Sequence, residues 1–145
     1  MFDTGSAKDR HALARLGTER VAWLTSVTAE GQPQTFPIWF ILDGGDLLVY
    51  SDNRAKRNEN LAANPRVSFH LADDGSGGDI LVIEGTARID PAMPSLPDHA
   101  AYCAKYADWI ASGFASPAKM ADRYNVPVRI TPVRARGSGG SEAGS

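Results

Sequence analysis

The chain has a single cysteine, Cys103, among 145 residues, which excludes an internal disulfide and suits a reducing compartment. It has no run of ~18 apolar residues for a membrane-spanning helix, and its start, MFDTGSAKDRHALARLG, lacks the apolar core of a signal peptide. A soluble, cytoplasmic protein is the expectation. The three histidines, His11, His70 and His99, have no spacing that converges on a metal, so no metal site is expected. There is no G-x-S-x-G elbow, and Cys103 has no basic residue nearer than Lys105, so the apparatus of nucleophilic catalysis is missing. Ser76-Gly77-Gly78 is glycine-rich but leads into a strand, which excludes the dinucleotide fingerprint and the P-loop. A surplus of positive charge is also absent. The net charge of -2 and pI of 5.9 exclude a general nucleic-acid binder, which needs a broad basic surface. If the protein is an enzyme, a cofactor carries the chemistry.

What is present reads as one domain over residues 1–137, followed by a Gly/Ser-rich tail, 138–145, whose composition is that of a disordered linker. Ala7–Gly17 has the apolar spacing of a short amphipathic helix. Strands are expected near 20–28, 34–42, 46–51, 66–71, 79–90 and 126–136, the first three joined by Gly-containing hairpin turns at 29–33 and 43–46. Helical tracts are expected at Asp98–Ile110 and Pro117–Tyr124, and a shorter one before Pro65. Six strands in succession with few helices predict a mainly β, α+β domain built on a closed or nearly closed antiparallel barrel.

One segment breaks a local rule. Ser51-Asp52-Asn53 reads as a helix N-cap, yet Arg54, Lys56 and Arg57 then place three positive charges in the expected first turn. That end of a helix already carries about half a positive charge, so acidic residues are the stabilising choice. Between Ser51 and Arg66, four cations face two carboxylates, so the positive charge is local. An anion bound by this segment would reverse the sign of the cost, and a broken local rule is where function is expected. The plainer alternative is a solvated face in which Asp52 and Glu59 pair with the cations.

The ordered set Val49-Tyr50-Ser51, Ala55-Lys56-Arg57 and Asn64-Pro65-Arg66-Val67-Ser68 resembles the strand, phosphate loop and following strand of the pyridoxamine-phosphate-oxidase-like split β-barrels, which bind flavins and deazaflavins. The tracts Tyr102–Tyr106 and Tyr124–Ile130 resemble the actinobacterial F420-dependent branch of that superfamily. Together the resemblance covers about residues 10 to 137. It implies a phosphate cradle of Ser51, Lys56 and Arg57, with Arg54 as the spare cation for the glutamate tail of F420. It also implies that Pro37, Ile38 and Trp39 lie along the deazaflavin ring, with ordinary core packing as the alternative for Trp39. Gln34–Leu42 contains no Lys or Arg and the C-terminus lacks histidine, which argues against pyridoxine chemistry.

The function so implied is hydride transfer from reduced F420 to a small electron-poor acceptor, an enone or quinone. An FMN-dependent reductase or oxidase and a non-catalytic flavin-binding protein are the alternatives. No catalytic side chain is assigned; Tyr106 and Tyr124 are candidate proton sources. Tyr102, Tyr106 and Trp109 form an aromatic stripe suited to packing or to a pocket wall. The resemblance further implies a homodimer with the cofactor near the subunit interface, and Ile38, Phe40 and Tyr106 are candidates for the apolar flank.

Overall fold

In the computed structural model, which describes residues 2–137, α1 (Ala7–Thr18) precedes β1 (Ala22–Val27), β2 (Pro33–Ile38), β3 (Ile41–Asp43) and β4 (Asp46–Asp52). Next come α2 (Arg57–Ala63), β5 (Arg66–Leu71) and β6 (Leu81–Ile89). After them lie α3 (Ala100–Lys105), α4 (Ala107–Phe114), α5 (Pro117–Ala121) and the long β7 (Tyr124–Gly137). The Gly/Ser tail expected at 138–145 lies outside the described residues.

All pairings are antiparallel, in the order β2-β1-β5-β6-β7-β4-β3. The two edges, β2 and β3, are neighbours in sequence, separated only by Trp39 and Phe40. In a flat seven-stranded sheet they would stand about 29 Å apart, whereas the three peptide units from Ile38 to Ile41 span at most about 11 Å. The sheet therefore has to curl until its edges meet, which makes the expected split barrel.

The strand read as 34–42 is thus two strands, and the sheet has seven rather than about six. A hydroxyl from a distant helix substitutes for the interrupted ladder. Phe40 N–H donates to Tyr106 Oη (2.8 Å), which itself donates to Arg20 O (2.6 Å), while Lys105 Nζ donates to Phe40 O (2.9 Å). The helical tract 98–110 is likewise broken, because Tyr106 leaves helical geometry (φ -112°, ψ 17°) between α3 and α4.

Two cores follow from the alternation of β4. Leu47 and Val49 point into the barrel with Leu24, Phe40, Phe69 and Ile83, joined by Leu16 of α1. Leu48 and Tyr50 point outward against Tyr102, Tyr106, Ile110 and Met120 of the helices. Burial on both faces explains why this strand is an uninterrupted apolar run. At Gly85 the β6–β7 ladder bulges, and a Cβ there would stand 2.4 Å from Thr131 O, so only glycine permits the close approach.

Ile38, Phe40 and Tyr106 are 4%, 0% and 0% exposed, so they cannot form the apolar flank expected of them. Link closure and helix packing bury all three inside one chain. Among the described residues no helix is long and apolar enough to cross a membrane.

Candidate functional site

The basic segment leaves β4 by a turn rather than by a helix cap. Asp52 still pairs with β7, opposite Tyr124, so Ser51 and Asp52 belong to the strand. Asp52 Oδ1 accepts from Arg54 N–H (2.9 Å), and Asp52 O accepts from Ala55 N–H (3.0 Å) and Asn58 Nδ2 (2.9 Å). α2 begins only at Arg57, with Lys56 at the cap, so Arg54 lies outside the helix and three charges do not share its first turn. Extended pairing with β7 overrides the local capping signal of Ser51-Asp52-Asn53.

The cations differ in what holds them. Asp52 binds Arg123 Nε at 2.7 Å and Arg54 Nε at 3.6 Å. Burial alone would push the Asp52 carboxyl up, but the Arg54 N–H and the two guanidinium groups outweigh it and hold the group below its ordinary range. Lys56 is exposed, 3.5 Å from Glu59. For Arg54 and Lys56 the plainer pairing with Asp52 and Glu59 is therefore realised. Arg57 is different. Half-buried, it makes no ion pair among the described residues, and its Nε donates to Oγ of the fully buried Ser51 (2.9 Å). Burial lowers the affinity of Arg57 for its proton, partly offset by the charge of Asp52. The guanidinium nevertheless stays charged at any ordinary pH.

Arg57 stands where two spaces meet. One is a cavity of about 160 Å³ walled by Ile38, Trp39, Tyr50, Tyr102, Phe114 and Met120. The other is an open groove of about 700 Å³ bordered by Phe36, Asp52, Arg54, Lys56 and Arg123. Pro37, Arg57 and Tyr124 belong to both. All seven residues expected at the cofactor are therefore brought to this region: Pro37, Ile38, Trp39, Arg54, Lys56 and Arg57 on the walls, and Ser51 behind Arg57. Trp39 has both roles considered for it, since it stacks on Tyr106 (4.8 Å, 8°) and also lines the cavity.

Tyr106 does not reach this space; its hydroxyl is committed to Phe40 and Arg20. It is thereby unsuited to the proton-donor role considered for it. Of the aromatic stripe only Tyr102 lines the cavity. Arg123, Phe36, Phe114 and Met120 join the site without having been singled out in the sequence. The pairing of β4 with β7 brings Arg123 to Asp52 across 71 positions of chain, and no local pattern announces it. Among the described residues no group of His, Cys, Asp and Glu could hold a metal.

No protein in the curated set matches the sequence. Among solved structures, a Listeria innocua protein assigned as a pyridoxamine 5'-phosphate oxidase is 25% identical. It has a TM-score of 0.68, with 92% of this chain and 99% of that one covered. An F420 reductase is also 25% identical, with a TM-score of 0.64 and coverage of 85% and 94%. The heme storage protein HutZ of Vibrio cholerae, 18% identical with a TM-score of 0.62 and coverage of 87% and 92%, shares the fold alone. The family model for pyridoxamine 5'-phosphate oxidase matches residues 9–138, nearly the whole curled sheet and its helices, and the chain belongs to that family.

Proposed function

We propose that this protein is an F420-dependent oxidoreductase acting on a small electron-poor acceptor. The observation that carries the proposal is Arg57, a half-buried cation with no ion pair among the described residues, tethered to Ser51 at the junction of an aromatic cavity and a basic groove. Half-burying a charge without an ion pair carries a desolvation cost that the charge of Asp52 offsets only in part, and a phosphate beside it removes the rest. Four cations face one carboxylate across the groove, which is a donor set suited to a phosphate followed by further carboxylates.

When bound, reduced F420 supplies a hydride, which an activated C=C takes up together with a proton from solvent. The protein's own contribution is binding and enclosure. Arg57, held by Ser51, grips the phosphate, the exposed Lys56 adds positive charge beside it, and Arg54 and Arg123 lie along the groove for the tail. Trp39, Phe114 and Met120 keep water from the cavity. FMN offers the same phosphate to Arg57, so the test includes it. Separate titrations of F420 and FMN, followed by tryptophan fluorescence through Trp39, should show quenching by F420 at lower concentration. Tighter binding of FMN, or no binding of either, defeats the reading.

At about 160 Å³ the cavity is smaller than the ~300–1,000 Å³ that encloses a drug-sized ligand, so a tricyclic ring would lie across its mouth, beside Pro37 and Arg57, and one chain would leave it partly uncovered. A second copy of the chain would supply the missing wall. Phe36, 52% exposed on the groove, replaces the buried trio as the apolar candidate, whereas the exposed Trp23 points to the opposite face of the β1–β2 pair. Light scattering at micromolar concentration should give a dimer, and Phe36→Asp should shift it toward monomer. A stable monomer in the parent protein rules the dimer out.

A further inference from the structure

The helix-side core holds three tyrosines, and two of their hydroxyls are spoken for. Tyr50 Oη donates to Pro94 O (2.6 Å), and Tyr106 Oη serves the β2–β3 link. Tyr102 is 1% exposed, yet its hydroxyl makes no hydrogen bond among the described residues. A buried phenol normally finds a partner, because leaving one unpaired costs about 1–3 kcal/mol. Asn58 Oδ1 is the one fully enclosed side-chain polar atom without a partner among the described residues, so the Tyr102 hydroxyl keeps a sliver of open space. The cavity that Tyr102 lines supplies it.

The ring is held firmly. It packs edge-on to Tyr50 (centroids 5.0 Å) and at a tilt to Tyr106 (5.0 Å), and its backbone N–H donates to His99 Nδ1 (3.2 Å). Burial raises the phenol well above its ordinary range, so the hydroxyl is a permanent donor rather than a phenolate. The space before it is small. A volume of about 160 Å³ is close to the ~150 Å³ of an apolar cavity that accepts benzene, which admits one six-membered ring and no second.

We propose that the Tyr102 hydroxyl recognises the carbonyl oxygen of an uncharged, single-ring ligand bound in this cavity. That the ligand is the hydride acceptor rests on the function proposed above; the recognition itself does not. It narrows the acceptor class to monocyclic enones and quinones. With Arg57 engaged by an anion in the groove, the remaining aromatic and apolar wall gives a carboxylate nothing to pair with.

Binding to the cofactor-free protein tests this, with cyclohexanone and its carbonyl-free isostere methylenecyclohexane as probes read by saturation-transfer NMR. Tyr102→Phe should weaken cyclohexanone about 2- to 12-fold, the effect of one neutral hydrogen bond, and leave methylenecyclohexane unchanged. The ¹³C shift of the bound carbonyl should move downfield in the parent protein and not in the variant, a signature that a packing role lacks. The thermal midpoint of Tyr102→Phe should match or exceed the parent's, since no intramolecular bond is lost. Equal affinity of both proteins for cyclohexanone overturns the proposal, as does displacement of cyclohexanone by saturating F420, which would assign the cavity to the cofactor's ring. A cyclohexanone preference intact in a protein that binds no F420 supports the Tyr102 site and sinks the cofactor reading alone.

Discussion

Arg57→Ala should weaken F420 binding by about 10- to 100-fold, the loss expected when charge-assisted hydrogen bonds of about 1.5–3 kcal/mol are removed. The same substitution should leave the empty protein as stable as before. Arg57 is half-buried and has no ion pair among the described residues, so the desolvation cost that its removal relieves offsets the hydrogen bond that Ser51 Oγ loses. Lys56→Ala should cost much less. Its ammonium is exposed and shared with Glu59 at 3.5 Å, and such surface groups contribute about 0–1 kcal/mol. Arg57→Lys keeps the charge but cannot reproduce the fork anchored on Ser51, so it should recover only part of the affinity. Arg54→Ala adds a discrimination: affinity should fall for F420, with its tail, and hardly for FMN. Fluorescence titration of the four variants with both cofactors decides the matter. Parental affinity in Arg57→Ala would leave the proposed phosphate site without support.

The second large effect concerns the link that closes the barrel. Tyr106→Phe keeps the ring against Trp39 and Tyr102 but removes the only hydrogen-bond partner that the buried Phe40 N–H has among the described residues. An unpaired buried donor costs about 1–3 kcal/mol, so thermal unfolding of a chain this size should move down by roughly 3–12 °C. Tyr106→Ala adds the cavity of a lost aromatic ring, about 3–5 kcal/mol more, and should leave little folded protein at room temperature. Calorimetry and urea titration measure both. A Tyr106→Phe midpoint within 1 °C of the parent would mean that the hydroxyl does not hold the link, and that apolar packing alone closes the sheet. Because Trp39 belongs to the same two-residue link and lines the cavity, loosening it should also blunt the tryptophan response to ligand.

The difference between Arg57 and its neighbours illustrates how far a sequence reaches. A cluster of cations after a strand is visible as a pattern, and so is its conflict with the acidic side chains that a helix start prefers. Which of those cations lacks a partner is a matter of where Asp52 points, and that depends on β7, some 70 residues later in the chain. Arg123 illustrates the same limit from the other side. Nothing around it distinguishes it from any surface arginine until β4 and β7 pair. The aromatic stripe shows a third form of the problem: Tyr102, Tyr106 and Trp109 share a helical spacing, yet the kink at Tyr106 gives its hydroxyl to the backbone, and of the three only Tyr102 lines the cavity.

By itself the sequence determined the antiparallel strands and their order along the chain, because alternation of apolar residues, Gly-containing turns and Pro65 are local signals that short-range sterics enforce. It also located the basic segment and, through its ordered motifs, the family. Only the tertiary structure decided the split of residues 34–42 into two strands, since the peptide link at Trp39-Phe40 can leave the ladder only where a distant hydroxyl satisfies its N–H. It alone placed Ile38, Phe40 and Tyr106 inside rather than on a flank, and gave Asp52 to Arg54 and Arg123 while leaving Arg57 without an ion pair among the described residues. Burial and charge pairing are sums over neighbours in space, and the pairing of β4 with β7 and the packing of Tyr106 on the β2–β3 link bring in neighbours from 71 and 66 positions away in the chain.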